Sequence, residues 1–195
     1  MSEVDGRRAR GARNRDAVVT AILELLREGN PDPGAHEIAE RSGVSVRSVF
    51  RHFDDLESLY EAAVEQMVER SRDLYQPPPA KGSTEARVRA LVDQRAALYE
   101  DITPTRLAAE RLRGRSAAIA QNLDRAHAFL RDQAEGYLVD DLAGVASGDR
   151  RAVLDGLDAA LSWSSWHQLR ADQGLSEARA AAAVRRLVLG LLTPV

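Results

Sequence analysis

The feature that most constrains this chain is the spacing of its apolar residues, which recur three and four positions apart almost from end to end. Alternating apolar and polar runs bounded by turn residues are missing. That pattern predicts an all-α protein, because a strand needs period two to keep one face buried. A first helix is expected from about Asn14 to Glu28, with Val18, Ala21, Ile22, Leu25 and Leu26 on one face and Gly29 closing it. Asn30-Pro31-Asp32-Pro33-Gly34 forces a loop. Short helices follow on either side of Gly43, from about Ala35 to Ser42 and from Ser45, the expected N-cap, to His52. Asp54 with Glu57 three residues later has the form of a capping pair for the next helix, whose stripe is Leu56, Leu59, Tyr60, Ala63 and Met67.

Pro77-Pro78-Pro79-Ala80-Lys81-Gly82 has no helical reading and is the strongest interruption in the chain. Beyond it, helices are predicted at about Thr84 to Asp101, Pro104 to Arg113, Ser116 to Leu142, Arg150 to Ala171 and Ser176 to Leu192. The expected organisation is a flexible basic arm over residues 1–12, a helix-turn-helix domain over 13–55, and a helical domain over 56–195 that begins with a connecting helix at about 55–76.

Charge and composition exclude several classes. The 195 residues carry 27 Lys plus Arg against 30 Asp plus Glu, a net of −3, so any nucleic-acid binding must come from a local patch. There is no cysteine, hence no disulfide, thiolate zinc site or Cys nucleophile. No apolar run near the start could serve as a signal-peptide core, and none approaches the roughly 20 residues of a membrane span. The reading is therefore a cytoplasmic protein without membrane contact.

Local charge is found in two places. Residues 1–15 hold five arginines against Glu3 and Asp5, a net of +3. From Val44 to Phe53 the only charges are Arg47 and Arg51. The segment between His36 and Phe53 has the grammar of a helix-turn-helix: Ala39 is small where two helices cross, Gly43 supplies the turn, and Ile38, Val44 and Val49 are the buried contacts. Arginines on the second helix of such a unit reach guanine edges or phosphates, and Arg13 and Arg15 ahead of the first helix add a second basic point for the DNA backbone.

The residues Ile38-Ala39, Gly43-Val44-Ser45, Ser48-Val49-Phe50 and His52-Phe53 together resemble the signature of the TetR family of transcriptional regulators, over about Asp16 to Ala63. The resemblance implies that Val46, Arg47 and Arg51 face the major groove while Ser48, Phe50 and His52 approach phosphates, with Ser45 at the head of that helix. Three positions depart from the family pattern. Gly34 stands in place of a hydroxyl residue, Leu56 in place of a Lys, and Asn30 in place of an aromatic.

The remainder is read by helix order and residue type. The last two long helices each have apolar residues on more than one side, which requires more than one partner. Leu161, Trp166, Val184, Leu187, Val188 and Leu191 are the expected contacts of a homodimer, and the same faces would also serve an intramolecular core. For a small-molecule effector, Tyr99, His127, Phe129, Tyr137 and Trp163 are candidates by residue type, with Arg95 and Gln133 as polar anchors. Catalysis has no support. Ser162, Ser164 and Ser165 lie too close to His167 on one helix to form a triad, no Gly-rich phosphate loop is present, and the four histidines lack metal spacing. The expectation is a non-enzymatic regulator without cofactor or metal, a ligand-responsive repressor that binds double-stranded DNA at a palindromic operator as a homodimer. The alternative is a helical ligand-binding or interaction protein of the same fold without useful DNA affinity.

Overall fold

A computed structural model describes residues 3–79 and 81–193. Ten α-helices account for most of them: α1 (Glu3–Arg27), α2 (Ala35–Ser42), α3 (Val46–His52), α4 (Leu56–Arg70), α5 (Thr84–Leu112), α6 (Ala117–Tyr137), α7 (Val139–Leu142), α8 (Arg150–Ala160), α9 (Trp163–His167) and α10 (Glu177–Leu192). A 3-10 turn at Arg72–Tyr75 and a π turn at Gln168–Asp172 complete the regular structure, and no strand occurs among the described residues. The all-α expectation holds. None of the described helices is long and apolar enough to cross a membrane.

The chain divides into two compact units. One comprises the chain as far as Arg70 together with Ile102–Leu123, the other Ser71–Asp101 together with Asp124 onward. This differs from a division at 55/56, because α4 buries Leu59, Tyr60, Ala62, Ala63, Val64 and Met67 and packs on α1. Helices α5 and α6 each contribute to both units.

The first unit is closed by Val18, Ile22 and Leu23 of α1, Ile38 of α2, Val49 of α3 and Leu59 of α4, all essentially inaccessible. Its first helix begins at Glu3 and not near Asn14, so the arm expected over residues 1–12 is helical from residue 3; Met1 and Ser2 lie outside the described residues. Alanine and arginine are strong helix formers, and here they outweigh the cost of Gly6 and Gly11. At the other end Gly29 takes φ 91°, and the Asn30 N–H reaches back to the Leu25 carbonyl at 3.0 Å, a left-handed helix stop.

Other predicted boundaries moved for local reasons. The cap of α4 is Asp55, one residue later than expected: its Oδ1 accepts from the Ser58 N–H (2.8 Å) while the Asp55 N–H donates to Ser58 Oγ (3.3 Å). Pro104 does not end a helix but lies inside α5. It removes one intrahelical hydrogen bond, the one that would run to the Glu100 carbonyl, close to where α5 passes from one unit to the other. The helix expected over Arg150 to Ala171 breaks at Leu161, where Ser162 caps α9 by accepting from the Ser165 N–H (3.1 Å).

In the second unit α8 packs on α10. A Cβ on Gly156 would come within 3.0 Å of Leu191, so the glycine is what admits that leucine. The intramolecular role weighed for these faces is the one observed for four of the six expected dimer contacts. Leu161, Trp166, Val184 and Val188 are all at most 5% exposed within a single chain, because the turn at Leu161–Ser162 brings both apolar sides of this region inward. Leu191 is half-buried, and Leu187 alone of the six stands exposed, at 54%.

Candidate nucleic-acid interface

The helix-turn-helix is assembled by side chains that leave its outer face free. Gly43 adopts φ 70°, a conformation costly for any residue with a Cβ, and its N–H closes α2. Ala39 and Ile38 are buried, as expected, and Val44 is half-buried. Gly34 has no side chain to cap α2, but Glu37 Oε2 accepts from its N–H at 2.8 Å. Asn30 Nδ2 donates to the other oxygen of Glu37 at 2.9 Å. Two of the departures from the family pattern thus form one local bracket. Arg111 Nη1 donates to the Pro31 carbonyl (2.7 Å) and further holds this loop.

Ser45 begins α3 with its Oγ accepting from the Ser48 N–H (3.2 Å), and the two hydroxyls lie 3.1 Å apart. Val49 points inward at 1% exposure. Arg47, Phe50 and Arg51 are exposed, Phe50 at 47%, while Val46 and Ser48 are half-buried. Neither Arg47 nor Arg51 has a carboxylate partner among the described residues. The outer face of α3 therefore carries two uncompensated cations, two hydroxyls and an exposed aromatic ring. Arg41 on α2 is different: it is held by Glu28 (2.6 Å) and Glu24 (3.5 Å), which ties α2 to α1 and takes its charge out of play.

The two arginines of α1 behave differently from one another. Arg13 is exposed and has no partner among the described residues. Arg15 lies over the ring of Phe53, 5.0 Å from its centroid, a cation–π contact that couples α1 to the end of α3. Arg15 and Phe53 line a cleft of about 260 Å³ with His52, Asp54, Ser58, Glu61, Ala62 and Glu65. His52 is half-buried, and its Nε2 has no hydrogen-bond partner among the described residues. Burial lowers its pKa, helped by the charges of Arg51 and Arg15. A Cβ on Gly11 would stand 4.0 Å from its Cε1, which places the added turns of α1 beside this ring. Gly11, Glu61 and Glu65 were not singled out from the sequence; their proximity to His52 and Phe53 depends on how the helices of this unit cross.

The seven effector candidates do not form one group. Arg95 and Gln133 are bonded to each other at 2.7 Å, and Phe129 meets Tyr75 edge-on at 6.3 Å, while the Tyr75 carbonyl accepts from Gln133 Nε2 at 2.6 Å. Tyr99 is buried, with its hydroxyl donating to the Leu161 carbonyl at 2.6 Å. Tyr137 is buried with its hydroxyl 3.4 Å from the Pro79 carbonyl. His127 faces solvent against Asp158 (3.1 Å), and Trp163 stacks on His167 at 4.9 Å. Gln94, Leu130 and Tyr75 join Arg95 in space but carried no sequence signal. The serine cluster is structural: Ser162 caps α9, and Ser165 Oγ donates to the Ala159 carbonyl at 2.6 Å.

No protein-family model matches the sequence, and no curated protein matches it. Solved structures do match. A transcriptional regulator from Rhodococcus sp. Rha1 superposes with a TM-score of 0.69 at 15% identity, over 93% of this chain and 95% of that one. A TetR-family transcriptional regulator from Streptomyces coelicolor gives 0.68 at 20% identity, over 91% and 78%. A TetR transcription regulator from Haloarcula marismortui gives 0.62 at 19%, over 93% and 97%. With the turn at Gly43, the buried Ile38, Ala39 and Val49, and the helix order in place, the chain has the fold of the TetR-family transcriptional regulators.

Proposed function

We propose that this protein is a DNA-binding transcriptional regulator, a ligand-responsive repressor that binds an inverted-repeat operator as a homodimer. The observation that carries the reading is the outer face of α3, where Arg47 and Arg51 stand exposed without a carboxylate partner among the described residues. A protein with a net charge of −3 gains nothing for its own stability by leaving such a pair unmatched, whereas a phosphate backbone or a guanine edge completes it. In this reading Arg47, Arg51 and Val46 address the major groove. Ser45, Ser48, Phe50 and Arg13 lie along the backbone, and Arg15 and His52 hold the end of α3 in place. Leu187 of α10 is the exposed apolar residue offered to a second copy. Effector binding shifts the balance between two conformations of unequal operator affinity.

The test is a selection of random duplexes by the purified protein, sequenced and repeated at two salt concentrations. Enrichment of an inverted repeat, with affinity falling as salt rises, is the expected result. No enrichment and no salt-dependent binding by a folded dimer rejects the reading in favour of a ligand-binding protein of the same fold.

A further inference from the structure

Arg95 lies on α5 at 2% exposure, and each of its hydrogen-bond partners is neutral. Its Nη1 donates to Gln94 Oε1 (2.9 Å) and Gln133 Oε1 (2.7 Å), and its Nη2 donates to the Leu130 carbonyl (2.9 Å). Both amides are themselves anchored, Gln133 Nε2 on the Tyr75 carbonyl and Gln94 Nε2 on that of Leu74. Their oxygens are thereby turned toward the guanidinium. A guanidinium has five donors, so Nε–H and one Nη2–H remain, and Nε is buried with no partner among the described residues.

Burial disfavours the charge on Arg95, and among the described residues no carboxylate offsets this. The same unit supplies carboxylates to arginines that need them far less. Arg87 has Asp141, Arg131 has Asp155 and Asp158, Arg170 has Glu100, and Arg185 has Asp93. A buried cation held only by neutral acceptors, with donors to spare, is an expensive arrangement for packing alone. On a guanidinium, Nε–H and one Nη2–H lie along one edge and match the two oxygens of a carboxylate. Beside this cluster, Phe129 is 50% exposed and meets the buried ring of Tyr75 edge-on, an apolar surface that reaches solvent.

We propose that this cluster binds a small organic acid. Its carboxylate is taken by Nε and Nη2 of Arg95, and its apolar body lies against Phe129 and Tyr75. The proposal rests on the effector-binding part of the function given above and names the chemical class of that effector.

The test is the melting temperature of the full chain with sodium phenylacetate and with sodium hexanoate, each against its amide and against sodium chloride at equal ionic strength. The acids raise Tm in a concentration-dependent way, reaching about 2 °C or more at saturation, while amides and chloride do not. Arg95→Met abolishes the rise, measured against that variant's own melting temperature, which falls because the acceptors of Gln94, Gln133 and Leu130 lose their donor. Three results would overturn the proposal: equal shifts from acid and amide, no shift from either acid, or a shift that survives in Arg95→Met. Duplex binding is measured separately. Acid binding without duplex binding keeps this site and rejects the regulator, and duplex binding without an acid effect does the reverse.

Discussion

Arginine is placed in opposite ways in two regions of this molecule. On α3, Arg47 and Arg51 face solvent with no carboxylate among the described residues to meet them. In the unit built from Ser71–Asp101 and Asp124 onward, Arg87 donates to Asp141 through both Nε (3.1 Å) and Nη2 (2.5 Å). There, too, Arg170 and Trp166 share Glu100, at 2.7 and 2.9 Å. The difference separates charge used to join elements of the fold from charge left available for a partner. It also explains how an acidic chain can present a basic helix: no acid lies between Val44 and Phe53.

The comparison is broken most severely at Asp141, whose side chain is 2% exposed and accepts from Arg87 and Thr84. Asp141→Ala leaves those donors unmatched and is expected to cost about 3 kcal/mol, read by urea denaturation. Arg47→Ala and Arg51→Ala are expected to do the converse. Each should weaken duplex binding by about 1–3 kcal/mol without moving the urea midpoint. Anisotropy titrations on selected and scrambled duplexes separate a base contact, lost on one sequence, from a phosphate contact, lost on all.

Ser45→Ala sharpens the contrast further, because it removes the cap of α3 and leaves its arginines. A loss of about 1 kcal/mol in stability is expected, with a parallel loosening of amide exchange confined to α3. The smallest effect concerns pH. Burial would raise the Asp141 pKa, but hydrogen bonds from Arg87 and Thr84 outweigh it and hold the carboxyl below its usual value. The stability it contributes is present above the ordinary carboxylate range and is lost as pH falls through the depressed folded value. His52, lowered by burial, adds a milder loss that begins as pH falls below 6.5. A stability profile that is flat from pH 7 to 5 in the parent, or unchanged over that range in His52→Gln, would remove this account of His52.

Much of the helix-turn-helix unit was legible in advance because its information is local. A glycine at position 43, a small residue at 39 and a hydroxyl at 45 specify a turn and a cap within ten residues of one another. The boundaries that moved did so where two local preferences competed. Asp54 and Asp55 are adjacent candidates for one cap, and the geometry of Ser58 selects the second. Pro104 usually ends a helix, yet Thr105, Ala108 and Ala109 beyond it are buried, and that packing sustains α5 through it. The effector candidates scattered for the opposite reason. Residue type alone cannot tell Tyr99, whose hydroxyl is spent on the Leu161 carbonyl, from Phe129, which is exposed.

Sequence by itself determined the helical class, the turn at Gly43 and the positive charge of α3, because each follows from neighbours within one or two turns of helix. Tertiary structure alone decided which arginines are spent and which are free. The partners of Arg95, Trp166, Arg170 and Arg185 lie 38, 66, 70 and 92 residues away. Electrostatic pairing acts through space over a few ångströms, and only the folded chain brings such groups within that distance.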